Sequence, residues 1–205
     1  MEKKTIDNNE VLLYGEVVSE KEFSNEVYGE GFYTVMVNTS RLSGINDTIP
    51  VLISDRMADF ENITIGTDIK VWGQFRSFNR HEERKNRLVL YVFARDLEVN
   101  PEEKDADNSI TLHGYVCQPT SFRTTPMGRN ITDILVAVNR PYGKSDYIPC
   151  ICWGRNASFA DGLQVGDSIK VSGRIQSREY IKTVDNNQEK RIAYEVSASR
   201  IEMCE

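Results

Sequence analysis

Ile65-Gly66-Thr67-Asp68-Ile69-Lys70-Val71-Trp72-Gly73 returns later in the chain as Val165-Gly166-Asp167-Ser168-Ile169-Lys170-Val171-Ser172-Gly173, a displacement of 100 positions. After the glycine turn, apolar and polar residues alternate in both copies, the period-two pattern of a strand with one buried face. Two further pairs keep the same order at a displacement of 99: Leu13-Tyr14-Gly15-Glu16-Val17 with Leu112-His113-Gly114-Tyr115-Val116, and Asp47-Thr48-Ile49-Pro50-Val51 with Asp146-Tyr147-Ile148-Pro149-Cys150. A duplicated unit therefore fills the 205-residue chain, and its length suits two small domains better than one large one. Residues 101–108, polar, charged and proline-led, read as a linker between a first domain over 1–100 and a second over 109–205.

Period two recurs through the second unit at Ile110, Leu112, Gly114 and Val116, at Ile134, Val136 and Val138, and at Ile169, Val171, Gly173 and Ile175. One segment breaks it. Arg155 to Leu163, and its counterpart Arg56 to Ile63, space Ala and Phe as a helix does. Each unit thus reads β-β-β-α-β-β. That order predicts an all-β chain of two tandem five-stranded OB-fold barrels, each with a short helix between strands 3 and 4, since barrel closure also removes exposed sheet edges. Gly15 and Gly114 in the first strand, and Gly73 and Gly173 in the fourth, fall where a small barrel must bend sharply. Neither G-x-x-x-x-G-K-[ST] nor G-x-G-x-x-G occurs, so no nucleotide cofactor is expected.

With 40% hydrophobic and 27% charged residues, the chain has the composition of a folded, water-soluble protein. No apolar run approaches the ~20 residues of a membrane span, and Met1-Glu2-Lys3-Lys4 opens no signal sequence, so a cytoplasmic protein without membrane contact is expected. Cys117, Cys150, Cys152 and Cys204 should stay reduced there. Cys150 and Cys152 share a strand face, but C-x-C without a second close pair reads as two small core residues, and no metal site is expected. An enzyme is not expected either. His81 and His113 have no evident nucleophile or ligand cluster, and Glu82-Glu83 and Glu102-Glu103 fall in probable loop and linker.

Charge divides the chain. Residues 1–108 hold 13 Lys+Arg against 21 Asp+Glu, net −8, whereas residues 109–205 hold 12 against 10, net +2. A phosphate-binding surface therefore belongs mainly to the second unit. There Phe122, Tyr142, Tyr147, Trp153 and Tyr180 are interleaved with Arg123, Arg129, Arg140, Lys144, Arg155, Arg174, Arg178 and Lys182. On a strand starting at Asp146, Tyr147, Pro149, Ile151 and Trp153 take one face, and Ile148, Cys150 and Cys152 the other. OB barrels bind single strands by stacking bases on aromatic rings beside such cations. Packing alternatives stand beside that reading: Tyr147 and Tyr180 as cover for apolar surface, Trp153 under the helix, Trp72 in a core or interface. The Arg80-His81-Glu82-Glu83-Arg84-Lys85 run reads as the long loop joining strands 4 and 5, which in this fold can contact nucleic acid, but its mixed charge favours a solvated hairpin.

From Asn108 to Tyr180 the sequence resembles the bacterial single-stranded-DNA-binding protein family. The resemblance runs through Ile110-x-Leu112-x-Gly114-x-Val116, Pro119, Arg123-x-Thr125-Pro126-x-Gly128, Ala137-Val138-Asn139-Arg140, Trp153-Gly154-Arg155-x-Ala157 and Val165-Gly166-Asp167, continuing to Gly173-Arg174-Ile175-Gln176-Ser177-Arg178-Glu179-Tyr180. It implies sequence-independent binding of single-stranded DNA in replication, recombination or repair. Base-stacking roles follow for Tyr147, Trp153 and Tyr180, and strand-lining roles for Arg155, Arg174 and Arg178. Because that family assembles four OB folds, a two-barrel chain implies a homodimer. Two departures matter. The chain stops at Met203-Cys204-Glu205, where the family carries a disordered tail with an acidic tip, so tail-mediated recruitment of repair enzymes is not expected. The first unit has Thr48 and Ser54 where the second has Tyr147 and Trp153, which predicts a scaffolding, dimerising or accessory role for it. The competing reading is a primosomal or phage accessory protein whose OB folds mainly bind other proteins.

Overall fold

Strand pairing closes on itself twice. The structure, a computed structural model, describes residues 8–41, 43–82, 85–102, 107–184 and 187–204. Glu83, Arg84 and Glu205, and residues 103–106 of the expected linker, lie outside them. In the first half, β1 (Asn9–Val17), β3 (Glu30–Ser40), β4 (Asn46–Ser54), β5 (Asp68–Glu82) and β6 (Lys85–Val99) pair in the cycle β1–β5–β6–β4–β3–β1. The second half repeats it with β7 (Asn108–Val116), β9 (Asn130–Arg140), β10 (Lys144–Trp153), β11 (Ser168–Val184) and β12 (Asn187–Met203), in the cycle β7–β11–β12–β10–β9–β7. Each half adds a sixth strand outside the ring, β2 (Glu22–Val27) on β3 and β8 (Ser121–Thr124) on β9. Every residue of these two strands is exposed, so no hydrophobic alternation marks them in the sequence.

Leu13, Val37, Ile49, Val51, Ile69 and Phe75 fill the first ring, and Leu112, Val136, Ile148, Cys152, Ile169 and Ile175 the second, all fully buried. The cysteine pair on β10 belongs to this packing, where burial pushes the Cys152 thiol up to about 12. Only the second half carries an α-helix among the described residues, α1 (Arg155–Asp161), which buries Ala157 and Ala160 and accepts a 2.7 Å hydrogen bond from Thr132 Oγ1 at the Ala157 carbonyl. The helix expected over residues 56–63 is instead a single 3₁₀ turn, Phe60–Asn62. Between Asp47/Asp146 and Ile65/Val165 the displacement grows from 99 to 100, so the first copy is one residue shorter at this point. The tighter 3₁₀ turn spans the same gap with fewer residues, and buried Ile63 takes the place of Leu163.

The long loop expected around residue 80 is a hairpin paired almost to its tip. β5 and β6 run through it as one long hairpin, pairing as far as Glu82 opposite Lys85. Both long hairpins bend at a bulge. Trp72 opposes Asp96 but Gly73 opposes Ala94, and Ser172 opposes Arg200 but Gly173 opposes Ala198, which leaves Arg95 and Ser199 as extra residues.

The halves join through β1 and β7, which pair antiparallel with Val11 opposite Ile110. These two residues correspond under the 99-residue displacement, so a local two-fold passes between them. Side chains repeat the symmetry. Asn9 exchanges hydrogen bonds with the backbone of Phe75 (2.7 and 2.8 Å), as Asn108 does with Ile175 (2.7 and 2.9 Å). Across the junction, Asp47 accepts from the Ser177 backbone N–H and Asp146 from that of Ser77, each at 2.7 Å.

The two carboxylates differ in charge preference. Burial pushes Asp47 up, but the Arg41 fork at 2.6 Å and the Ser177 donors outweigh it and hold the group below the usual aspartate range. For Asp146 burial prevails over Ser77 and over Arg140, whose Nε lies 3.2 Å away, and the group sits above that range. Opposite pH slopes follow by linkage. Asp47 favours folding fully above the ordinary carboxylate range and loses that contribution as pH falls. Asp146 binds its proton more firmly folded than unfolded, so its contribution grows as pH falls. In urea unfolding, Asp47→Asn should cost about 3–5 kcal/mol at pH 7 and progressively less toward pH 3. The cost of Asp146→Asn should rise over the same interval; parallel pH dependences for the two variants would contradict the assignment.

Candidate nucleic-acid interface

Register decides which side chains share a surface. Ile151 on β10 lies opposite Ser197 on β12, which lies opposite Arg174 on β11. Alternation then puts Tyr147, Pro149, Ile151 and Trp153 on the same face as Arg174, Gln176, Arg178 and Tyr180. Their partners Ile148, Cys150, Cys152 and Ile175 point into the ring and are buried. Trp153 is 38% and Tyr147 42% exposed, so neither ring is spent on the core and Trp153 does not pack away under α1. Ile151 differs from its neighbours: it is 5% exposed, covered on this outer face.

Cations flank the face at three heights. Arg155, the first residue of α1, is exposed beside the Trp153 end. Arg178 has 57% of its side chain exposed and lies 3.9 Å from Glu195, which also accepts from Gln176 at 2.8 Å. Tyr180 and Lys182 are half-buried at the far end, where they line a cavity with Pro149. Arg174 is half-buried and donates to Gln176 Oε1 at 3.4 Å, while its Nε is shielded from water and has no hydrogen-bond partner.

The remaining expected residues fall into two groups. Tyr142 and Lys144 sit at the β9–β10 turn, where Tyr142 is 99% exposed with φ of +63°, a left-handed backbone that holds its ring clear of the protein. Exposed Arg129 occupies the β8–β9 turn. The others are engaged elsewhere. Arg140 is the partner of buried Asp146, and Arg123 forms a two-point pair with Asp133 (3.0 and 3.3 Å). Phe122 opposes Thr132, which opposes Cys152, so its register puts it on the other side of the sheet from Trp153.

The first half contains residues that the sequence reading passed over. Leu52 opposes Phe93, which opposes Gln74; Arg76 opposes Tyr91, and Phe78 opposes Val89. Phe78 packs against Tyr91 with ring centroids 5.8 Å apart, and the Arg76 guanidinium lies 3.8 Å over Phe93. The signal was present as Arg76-x-Phe78-x-Arg80 and Tyr91-x-Phe93. It was hidden by the acidic total of the half and by reading residues around 80 as a loop.

Residues 107–204 match the sequence profile of the single-strand binding protein family. That match covers 98 of the chain's 205 residues, just under half. That half is similar to the single-stranded DNA-binding protein of Halalkalibacterium halodurans, 33% identical over 106 residues, and to single-stranded DNA-binding protein A of Bacillus subtilis, 31% identical over 106 residues. Each alignment covers 48% of this chain, and the chain spans only 61% and 59% of those two relatives. The likeness of fold extends further. The wild-type single-stranded DNA binding protein of Thermus aquaticus superposes with a TM-score of 0.77 over 96% of this chain and 93% of that one, at 20% identity. The motifs quoted above fall on β7, β8, β9, β10, α1 and β11 and the turns between them, and of these β10 and β11 carry the aromatic face.

Proposed function

We propose that this protein binds single-stranded DNA without sequence preference, in replication, recombination or repair. The observation that carries the reading is the common face of Tyr147, Trp153 and Tyr180 with Arg174 and Arg178, fixed by strand register. Exposed rings offer bases a stacking surface worth about 1–3 kcal/mol per base, and any base has a face to stack. Arginines beside them neutralise phosphates, which makes binding salt-dependent. Each ring of strands is read as a five-stranded OB barrel, with β2 and β8 as additional flaps. The protein acts as a binder, with no catalytic step, in the cytoplasm; among the described residues no helix is long and apolar enough to cross a membrane.

A homodimer with four barrels follows from the same reading. Trp72 (39% exposed) on β5, beside β1, and Tyr115 (46%) toward the end of β7 are exposed, apolar area that a second copy would cover.

The test of binding is intrinsic fluorescence. Oligothymidine should quench Trp153 at low salt, duplex DNA of equal length should not, and raising salt should weaken the apparent affinity with a linear log–log slope. Equal quenching by duplex, or none by the single strand, would count against the proposal and favour a protein partner for the same face.

A further inference from the structure

We infer that β2 and β8 are the two sides of a contact between copies of this chain, the β2 flap of one protomer adding edge to edge onto the β8 flap of the next. The inference concerns the ends of the sheet and does not depend on how the aromatic face is read.

Both flaps leave one edge open. Among the described residues β2 pairs only with β3 and β8 only with β9, and these two strands stand at the ends of the strand order. A terminal strand presents a row of backbone N–H and C=O groups that another strand can meet. The flaps are also built alike. Under the 99-residue displacement Phe23 corresponds to Phe122, and Gly29, with φ of +73°, to Gly128, with φ of +76°. Just before each glycine a large side chain stands almost wholly in water, Tyr28 at 99% and Met127 at 88% exposure. With Phe23 and Phe122, exposed as well, these give both flaps apolar area that a partner would cover.

In charge the flaps are opposites. Residues 18–31 carry Glu20, Glu22, Glu26 and Glu30 against Lys21, net −3, whereas residues 117–130 carry Arg123 and Arg129 and no acidic residue, net +2. Part of this charge is engaged within the chain. Lys21 donates to the Phe60 carbonyl at 2.8 Å, Glu30 accepts from Ser54 and lies 3.7 Å from Arg56, and Arg123 pairs with Asp133. Glu20, Glu22 and Glu26 on one flap, and Arg129 on the other, are exposed and have no ion-pair partner among the described residues.

Sign then selects the pairing. Two β2 flaps would set acid against acid and two β8 flaps base against base, so neither flap suits its own copy. β2 on β8 is attractive, and the same chain supplies both surfaces, so the occupant that fits each is a second copy. β8 is only 4 residues long and lies between Pro119 and Pro126, which bar a longer ladder. The contact is therefore small and of the weak, transient class.

The test is analytical ultracentrifugation of the full chain without nucleic acid, from micromolar to millimolar protein. At low salt the weight-average mass should rise with concentration, and high salt should suppress the rise by screening exposed charges. Glu22→Lys/Glu26→Lys makes both flaps net positive, and Ser121→Glu/Arg129→Glu makes both net negative. Each variant alone should lose the rise, its association constant falling at least about tenfold. Mixed in equal amounts, the two variants should regain it, because each then meets the opposite charge at both flaps; that recovery also shows both to be folded. A mass constant over the whole range for the unaltered protein at low salt would overturn the inference. So would variants that associate undiminished on their own, or a mixture that stays dissociated.

Discussion

Replacing Tyr147 and Trp153 together by alanine should weaken oligothymidine binding by at least about thirtyfold, with little change in thermal stability. Each ring supplies one stacking platform at about 1–3 kcal/mol, so losing both removes about 2–6 kcal/mol, and a tenfold change in affinity corresponds to about 1.4 kcal/mol. Stability is spared because both side chains lie on the outer face at about 40% exposure, away from the buried cluster that fills the ring. Fluorescence anisotropy of a labelled oligonucleotide measures the first quantity and a thermal melt the second. A melt lowered by ten degrees or more would mean that the rings serve packing, the alternative reading of these residues. Unchanged affinity in a folded variant would move the binding surface off this face.

The largest effect on folding is expected at Gly173. A β-carbon added there would lie 2.1 Å from the Ser197 carbonyl oxygen and 2.9 Å from its carbon, both backbone atoms of the neighbouring strand. No side-chain rotation relieves such a clash. The bulge between Ser172 and Gly173 must open, and with it the closest stretch of the β11–β12 ladder. Gly173→Ala should therefore cost more than about 4 kcal/mol, in the range reserved for core disruption, read as the midpoint of urea unfolding. Gly128 provides the comparison. Its φ is +76° with nothing within 4 Å of a β-carbon, so Gly128→Ala carries only the left-handed backbone penalty of about 1 kcal/mol. Similar costs at the two positions would show that backbone conformation, rather than close strand approach, sets the requirement at Gly173.

The cationic residues show how far sequence reading reached. Arg174 and Arg178 lie on the aromatic face, because a strand's alternation can be counted from a known neighbour such as Gly173. Arg140 and Arg123 come from the same interleaved set, yet one is bound to Asp146 and the other to Asp133. Asp133 faces Arg123 only through the β8–β9 pairing, and Asp146 is buried by the opposite half of the chain through Ser77. Neither partner is close in pattern, so neither could be read from spacing.

What the sequence by itself determined is what depends on local repetition: the duplication, the strand-forming segments with a buried face, the glycine bends, the single helix of the second half, and the outward-facing set from Tyr147 to Trp153. Apolar alternation encodes burial directly, since a one-residue slip would expose a whole face. The tertiary structure decided everything that depends on pairing between distant segments. It added β2 and β8, whose exposed residues carry no periodic signal. It turned an expected loop into the tip of a hairpin and a short helix into one 3₁₀ turn, where a single missing residue changed the span to be bridged. It joined the halves about a local two-fold at Val11 and Ile110, and so brought Arg80 and Val89 of one hairpin against Tyr180 and Lys182 of the other. Charge summed over residues 1–108 hid an outer face with Arg76, Phe78, Tyr91 and Phe93 within an acidic half, because a total charge says nothing of where the charges lie.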